Sequence, residues 1–155
     1  MGAVDASVSH TAVMPEVLVS RGDRYLLVRG TERGEVFWWP PGAYWVQAGT
    51  CDLTTTDPAD WIRRTLQEQI RVPVSSVALR GVSLVDVDHA PVLTYAATIE
   101  GEPSPNPGCG FDRAEFFAPS EMPERLGRDE VHGRWLRSLL AAEHSAGHSA
   151  GHSQG

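Results

Sequence analysis

The sequence predicts a single α/β domain in which a mixed β-sheet carries helices on its faces. Three observations predict it. Short apolar runs bounded by Gly, Pro and Asp recur along the chain; a segment after Asp57-Pro58 carries apolar residues at helical spacing; a second such segment closes the chain from Asp129. At 155 residues, 41% of them hydrophobic, the chain has the length of one domain and enough apolar matter for a core.

The elements follow in order. Residues 1–13 are small and polar and read as a flexible arm ahead of a domain over 14–143. Val17 to Val19 and Tyr25 to Val28 flank Ser20-Arg21-Gly22-Asp23-Arg24, a turn signal, so they form a β-hairpin. Thr31 to Glu35 is a charged connector. Val36 to Trp39 is strand-like and is stopped by Pro40-Pro41-Gly42. Ala43 to Gln47 is a short apolar run, and 48–56 is a loop. Asp57 is placed to cap a helix that Pro58 begins; Ile62, Leu66 and Ile70 line one face, and Pro73 ends it near Arg71. Val77 to Val87 and Val92 to Ile99 form a long hairpin. A Pro/Gly loop over 101–110, a short strand over Ala114 to Phe117 and a helix over Asp129 to Glu143 complete the domain. Residues 144–155 repeat His-Ser-Ala-Gly and read as a disordered tail. On a helix, His144, His148 and His152 would share a face and could hold a metal, but Gly147 and Gly151 oppose that helix.

Composition narrows the function. A formal net charge of -7 disfavours non-specific binding to nucleic acid or an anionic membrane. No apolar run approaches the roughly 18 residues of a membrane span. The first fifteen residues lack a basic start followed by an apolar block, so no signal peptide is read and a cytoplasmic protein is expected. Two cysteines, Cys51 and Cys109, do not make a disulfide framework.

A resemblance then emerges from particular residues. Trp38-Trp39-Pro40-Pro41-Gly42-Ala43 is similar to the Trp-x-x-Pro-Gly-Gly segment that precedes the Nudix signature, with alanine for the second glycine. That signature is a loop-helix-loop of the form G-x5-E-x7-R-E-U-x-E-E-x-G-U, where U is bulky and apolar. Gly49 matches its glycine, and Thr50 stands where the first glutamate belongs. Thirteen residues, in place of seven, separate Thr50 from Arg64. Over R-E-U-x-E-E lies Arg64-Thr65-Leu66-Gln67-Glu68-Gln69, in which Arg64, Leu66 and Glu68 match; Arg71 replaces the final glycine. The first hairpin, the stretch Ala114 to Pro123 and the closing helix resemble the family as well, so the likeness spans about Val13 to Ala142.

What the resemblance implies is a Nudix-like α/β/α sandwich with a mixed sheet, a box helix and a C-terminal helix. Nudix enzymes cleave a pyrophosphate linked to another moiety with Mg²⁺ or Mn²⁺, which neutralises phosphate charge and activates water. By the same resemblance Glu68 is the metal ligand and a catalytic residue, and Arg64 orients it, with an i,i+4 pair between them expected. Gln69 is a ligand-binding candidate. Trp38, Trp39, Tyr44 and Trp45 offer rings for stacking on a flat ligand, or for the core. Where three glutamates would supply a charge of -3, this helix supplies -1. Each lost contact at about 4 Å forfeits about 4 kcal/mol of Coulomb energy at an effective dielectric of 20, part of it offset by desolvation. Asp52, Asp57, Asp60, Asp86, Asp88 and Glu115 are the acids outside the box that could rebuild a site, each equally readable as a solvated acid or a cap.

The expected function is therefore a Nudix-fold protein with an impaired metal site. It would bind a small molecule, nucleotide-like in one reading, or perform non-standard chemistry. The alternative is a divergent Mg-dependent hydrolase of a nucleoside diphosphate linked to another moiety. Homodimerisation is left open.

Overall fold

The computed structural model describes residues 12–46, 49–83 and 90–154, with only the backbone given for 147–154. Strands β1 (Ala12–Arg21) and β2 (Arg24–Glu32) form the expected antiparallel hairpin, joined through Gly22 at φ 63°. The second turn is tighter than the sequence suggests. Arg33 and Gly34 both adopt positive φ (52° and 79°), the backbone of a two-residue turn, so β2 leads directly into β3 (Glu35–Trp39) and no loose connector intervenes. Arginine is uncommon in that conformation, which hides the turn from a composition-based reading.

A 3-10 turn over Ala43–Trp45 follows the Pro-Gly bend, and β4 (Cys51–Asp52) pairs with the start of β1. Ala12 and Val13, expected in the arm, therefore belong to the sheet. Helix α1 (Pro58–Ile70) begins and ends as its sequence dictates. The Asp57 carboxylate accepts from the Ala59 N–H at 3.0 Å, Pro58 occupies the first turn, and Arg71 closes the helix in the left-handed region. Asp57→Ala is expected to cost about 1 kcal/mol in urea denaturation through the lost cap alone; no measurable change would remove the cap from this account.

β5 (Val74–Ser83) and β6 (Val92–Ile99) are antiparallel with two register shifts; β6 in turn runs parallel to β1 from Met14↔Val92 to Val19↔Ala97. β7 (Phe111–Phe117) pairs with β2, and α2 (Glu130–Gln154) closes the described chain. The main path is β3-β2-β1-β6-β5. One parallel pairing among antiparallel ones makes the sheet mixed, as expected. α2 passes Glu143 and continues to Gln154, where the sequence predicts an irregular tail. Alanine and serine allow that extension, although Gly147 and Gly151 each weaken it by about 1 kcal/mol.

The sheet is covered on both faces. Val17, Val19, Leu26 and Val28 pack with Ile62, Leu66 and Ile70 of α1; Leu18, Tyr25, Leu27, Phe37 and Trp39 pack with Leu136 and Leu140 of α2. That is why β1 and β2 carry apolar residues consecutively and do not alternate: neither face is wet. The result is an α/β/α sandwich. No helix among the described residues is long and apolar enough to cross a membrane.

Candidate functional site

The box segment lies on α1, whose burial decides which of its residues can meet a ligand. Thr65 and Gln69, four residues apart, are turned inward and are 8% and 3% exposed. Glu68 is one residue off that stripe and faces solvent; its main-chain carbonyl accepts from Asn106 Nδ2 at 2.8 Å and from Cys109 Sγ at 3.9 Å. Arg64 is also exposed, and the expected Arg64–Glu68 ion pair is not formed. The neighbouring Arg63 instead approaches Asp60 at 3.9 Å.

Gln69 has a specific task. The Gly42 N–H donates to Gln69 Oε1 at 2.8 Å, and Gln69 Nε2 donates to the Gly42 carbonyl at 3.2 Å. This two-bond ring satisfies both main-chain polar groups of a buried residue in the Pro-Gly bend. Gly42 holds φ 134°, a conformation essentially reserved for glycine. The amide therefore pins the bend to α1.

The acids outside the box are occupied elsewhere or exposed. Asp52 accepts from Thr54 N and Oγ1 at 2.9 and 2.7 Å, and these bonds hold its carboxyl below the usual carboxylate range. Asp57 is the helix cap, Asp60 faces Arg63, and the exposed Glu115 approaches Arg113 at 3.6 Å. Asp86 and Asp88 lie outside the described residues. Among the described residues, no three of His, Cys, Asp or Glu gather where a metal could be shared.

The aromatic candidates separate. Trp38 meets the edge of Phe117 with centroids 5.1 Å apart. Trp45 stacks on Phe37 at 4.9 Å and donates its indole N–H to the Pro40 carbonyl at 3.0 Å. Trp39 and Tyr44 stack on each other at 4.4 Å, and together they wall a pocket on the α2 face of the sheet. Trp135 and His132 of α2 complete its aromatic lining; Met14, Val92 and Arg128 bound the rest, around a volume of about 430 Å³. Arg128 is fixed there by its guanidinium over the Tyr44 ring at 4.4 Å, by a bond to the Tyr44 carbonyl at 3.1 Å, and by Glu32 at 2.7 Å. The Arg128 N–H donates to the Tyr44 hydroxyl, whose pKa burial pushes up to about 12.

Glu16 stands in this pocket, 6% exposed. Its backbone is held on both sides, by Thr94 of β6 and by an isolated bridge to Gly42. Burial raises its pKa to about 8, against the opposing pull of the Trp39 indole N–H, the Tyr44 main-chain N–H and the Arg128 charge. The indole N–H is itself buried and falls short of a full hydrogen bond. Sequence reasoning missed Glu16, Arg128, His132 and Trp135. The available signal was a lone acid among Met14, Val17, Leu18 and Val19, in a run too apolar for a strand with a wet face.

With this geometry established, comparison with solved structures places the fold. A MutT Nudix hydrolase from Burkholderia pseudomallei is 19% identical with a TM-score of 0.57, over 75% of this chain and 89% of that one. An ADP-ribose pyrophosphatase from Streptococcus suis is 18% identical with a TM-score of 0.61, over 88% of this chain and 92% of that one. A mutator MutT protein from Bacillus halodurans is 20% identical with a TM-score of 0.58, over 83% and 82%. The chain thus has the Nudix fold, and at these identities the likeness is one of fold. No protein-family model and no curated relative matches the sequence.

Proposed function

We propose that this Nudix-fold chain binds a flat small molecule, nucleotide-like in its ring, in the aromatic pocket over Glu16, and that it does so without a divalent cation. The pocket carries the reading: aromatic walls from Trp39, Tyr44 and the half-buried Trp135 surround a few fixed polar groups, the usual make-up of a small-molecule site, and Trp135 is the ring left to stack on an occupant. The box face of α1 does not fit Mg²⁺ or Mn²⁺. Such hard cations want several oxygen donors, preferably anionic, in near-octahedral array. At the two inward positions stand a hydroxyl and a neutral amide whose oxygen and nitrogen are both committed to Gly42. Glu68 brings a single negative charge on an exposed side chain. Among the described residues this face supplies too few oxygen donors for the cation that hydrolysis of a nucleoside diphosphate linked to another moiety would need, and Glu68, Arg64 and Gln69 act as a solvated acid, a solvated cation and a structural clamp.

Tryptophan fluorescence tests the proposal, because Trp39 and Trp135 line the pocket. Adenosine, cytidine and nicotinamide serve as flat probes. At least one is expected to quench the emission with an affinity unchanged by EDTA or by added Mg²⁺. Trp135→Ala is expected to weaken that binding about tenfold or more through lost stacking. Binding that needs Mg²⁺, or cleavage of ADP-ribose to AMP and ribose 5-phosphate with Mg²⁺, would overturn it.

A further inference from the structure

We infer that Glu16 reads the edge of the ligand: the pocket selects an uncharged heteroaromatic ring carrying a hydrogen-bond acceptor beside a donor, and pairs that edge with the Glu16 carboxylic acid. The inference rests on the pocket being a small-molecule site.

Position comes first. Pairing of β1 with β6 on one side and with Gly42 on the other fixes the Glu16 backbone, so the carboxyl is a rigid feature of the pocket. Its neighbours come next. The Trp39 indole N–H and the Tyr44 main-chain N–H are donors turned toward the carboxyl, and the Arg128 guanidinium acts on it through its charge. A carboxylic acid also has a proton to place, and these neighbours offer it no acceptor. The occupant of the pocket supplies one, and a donor beside it returns a bond to the carbonyl oxygen of the acid. Two such bonds in one plane fix the ring in the pocket beside the half-buried Trp135, which itself stacks on Trp39 at 6.1 Å.

Charge argues in the same direction. An organic cation would need Glu16 ionised, and it would lie near the Arg128 guanidinium, which opposes a second positive charge. Burial favours the neutral acid at neutral pH. The other titratable groups facing this space are Tyr44 from the 3-10 turn, Arg128 from the segment before α2, and His132 from α2, which is bonded to Asp129 at 2.8 Å. Tyr44 keeps its proton well above neutral pH, and an arginine stays charged throughout.

The test uses the full chain with adenosine, cytidine and nicotinamide, each beside its N,N-dimethyl derivative, which keeps the ring and loses the donor. Tryptophan quenching is followed between about pH 7 and about pH 9.5. At neutral pH the parent compounds are expected to bind at least tenfold more tightly than the dimethyl derivatives. Their affinity is expected to fall about tenfold per pH unit above about 8, as the acid is lost. Glu16→Gln presents a donor and an acceptor at every pH. It is expected to bind within about threefold of the wild type at neutral pH and to show no pH dependence, with its folding verified by thermal melting. His132→Gln is expected to retain the pH dependence. Loss of binding in a folded Glu16→Gln variant, equal affinity for parent and dimethyl compounds, or a flat wild-type profile overturns the inference while leaving the pocket a binding site. A pH dependence that vanishes in His132→Gln does the same. Quenching by none of the six compounds overturns the reading of the pocket, and this inference with it.

Discussion

Gln69→Ala is expected to lower the unfolding free energy by about 3 kcal/mol and the melting temperature by roughly 10 °C. The truncation strips the partner from the Gly42 N–H, at a residue buried in the Pro-Gly bend, and leaves the Gly42 carbonyl with only the longer bond from the Trp45 N–H at 3.3 Å. An orphaned buried polar group costs about 1–3 kcal/mol. A small cavity adds to the loss. Gly42 also bridges Glu16, so the bend that carries Ala43 and Tyr44 should loosen and the pocket wall with it. Urea denaturation with a matched slope measures the effect. A loss below about 1 kcal/mol would show that the amide ring is dispensable and would reopen Gln69 to other duties.

Local chemistry was the legible part of this chain. Asp57-Pro58 announced α1 and Gly22 the first turn, because a cap and a turn are settled by a few adjacent residues. The order of strands and helices was also readable, and with it the sandwich. Features set by tertiary context were not. Spacing places Thr65, Glu68 and Gln69 near one another, yet only packing against the sheet decides that two turn inward and one outward. The role of Gln69 depends on a residue 27 positions away. Arg33 in a left-handed turn breaks a compositional rule, and its hairpin was read as a connector. Glu16 is inconspicuous in the sequence because one acid in a strand ordinarily marks its wet face; in β1 both faces are covered, so its carboxyl is buried.

Buried acids leave a thermodynamic trace, and Glu16 should leave a large one. Its pKa is 4.5 in the unfolded reference and about 8 in the folded protein. Below about pH 4.5 both states hold the proton and the group contributes no difference. Between about 4.5 and about 8 the unfolded chain has released the proton that the folded chain retains. The folded state then binds more protons, so stability falls as pH rises, by about 1.4 kcal/mol per unit. Above about 8 both states are ionised and the fall levels off, after a total on the order of 5 kcal/mol. Asp52, Asp112 and Asp129 have lowered pKa values and act with the opposite sign, but at acidic pH, below this window. Subtracting the profile of Glu16→Gln isolates the contribution, because any constant penalty of the glutamine cancels and the slope remains. The difference curve should decline across the window and flatten above it, with melting temperatures separating by roughly 10–20 °C. A difference curve flat from pH 5 to pH 8 would mean that Glu16 is already ionised in the folded protein at neutral pH. Its neighbours Trp39, Tyr44 and Arg128 would then outweigh burial, and the pocket would present two acceptors to its ligand where an acceptor and a donor are expected.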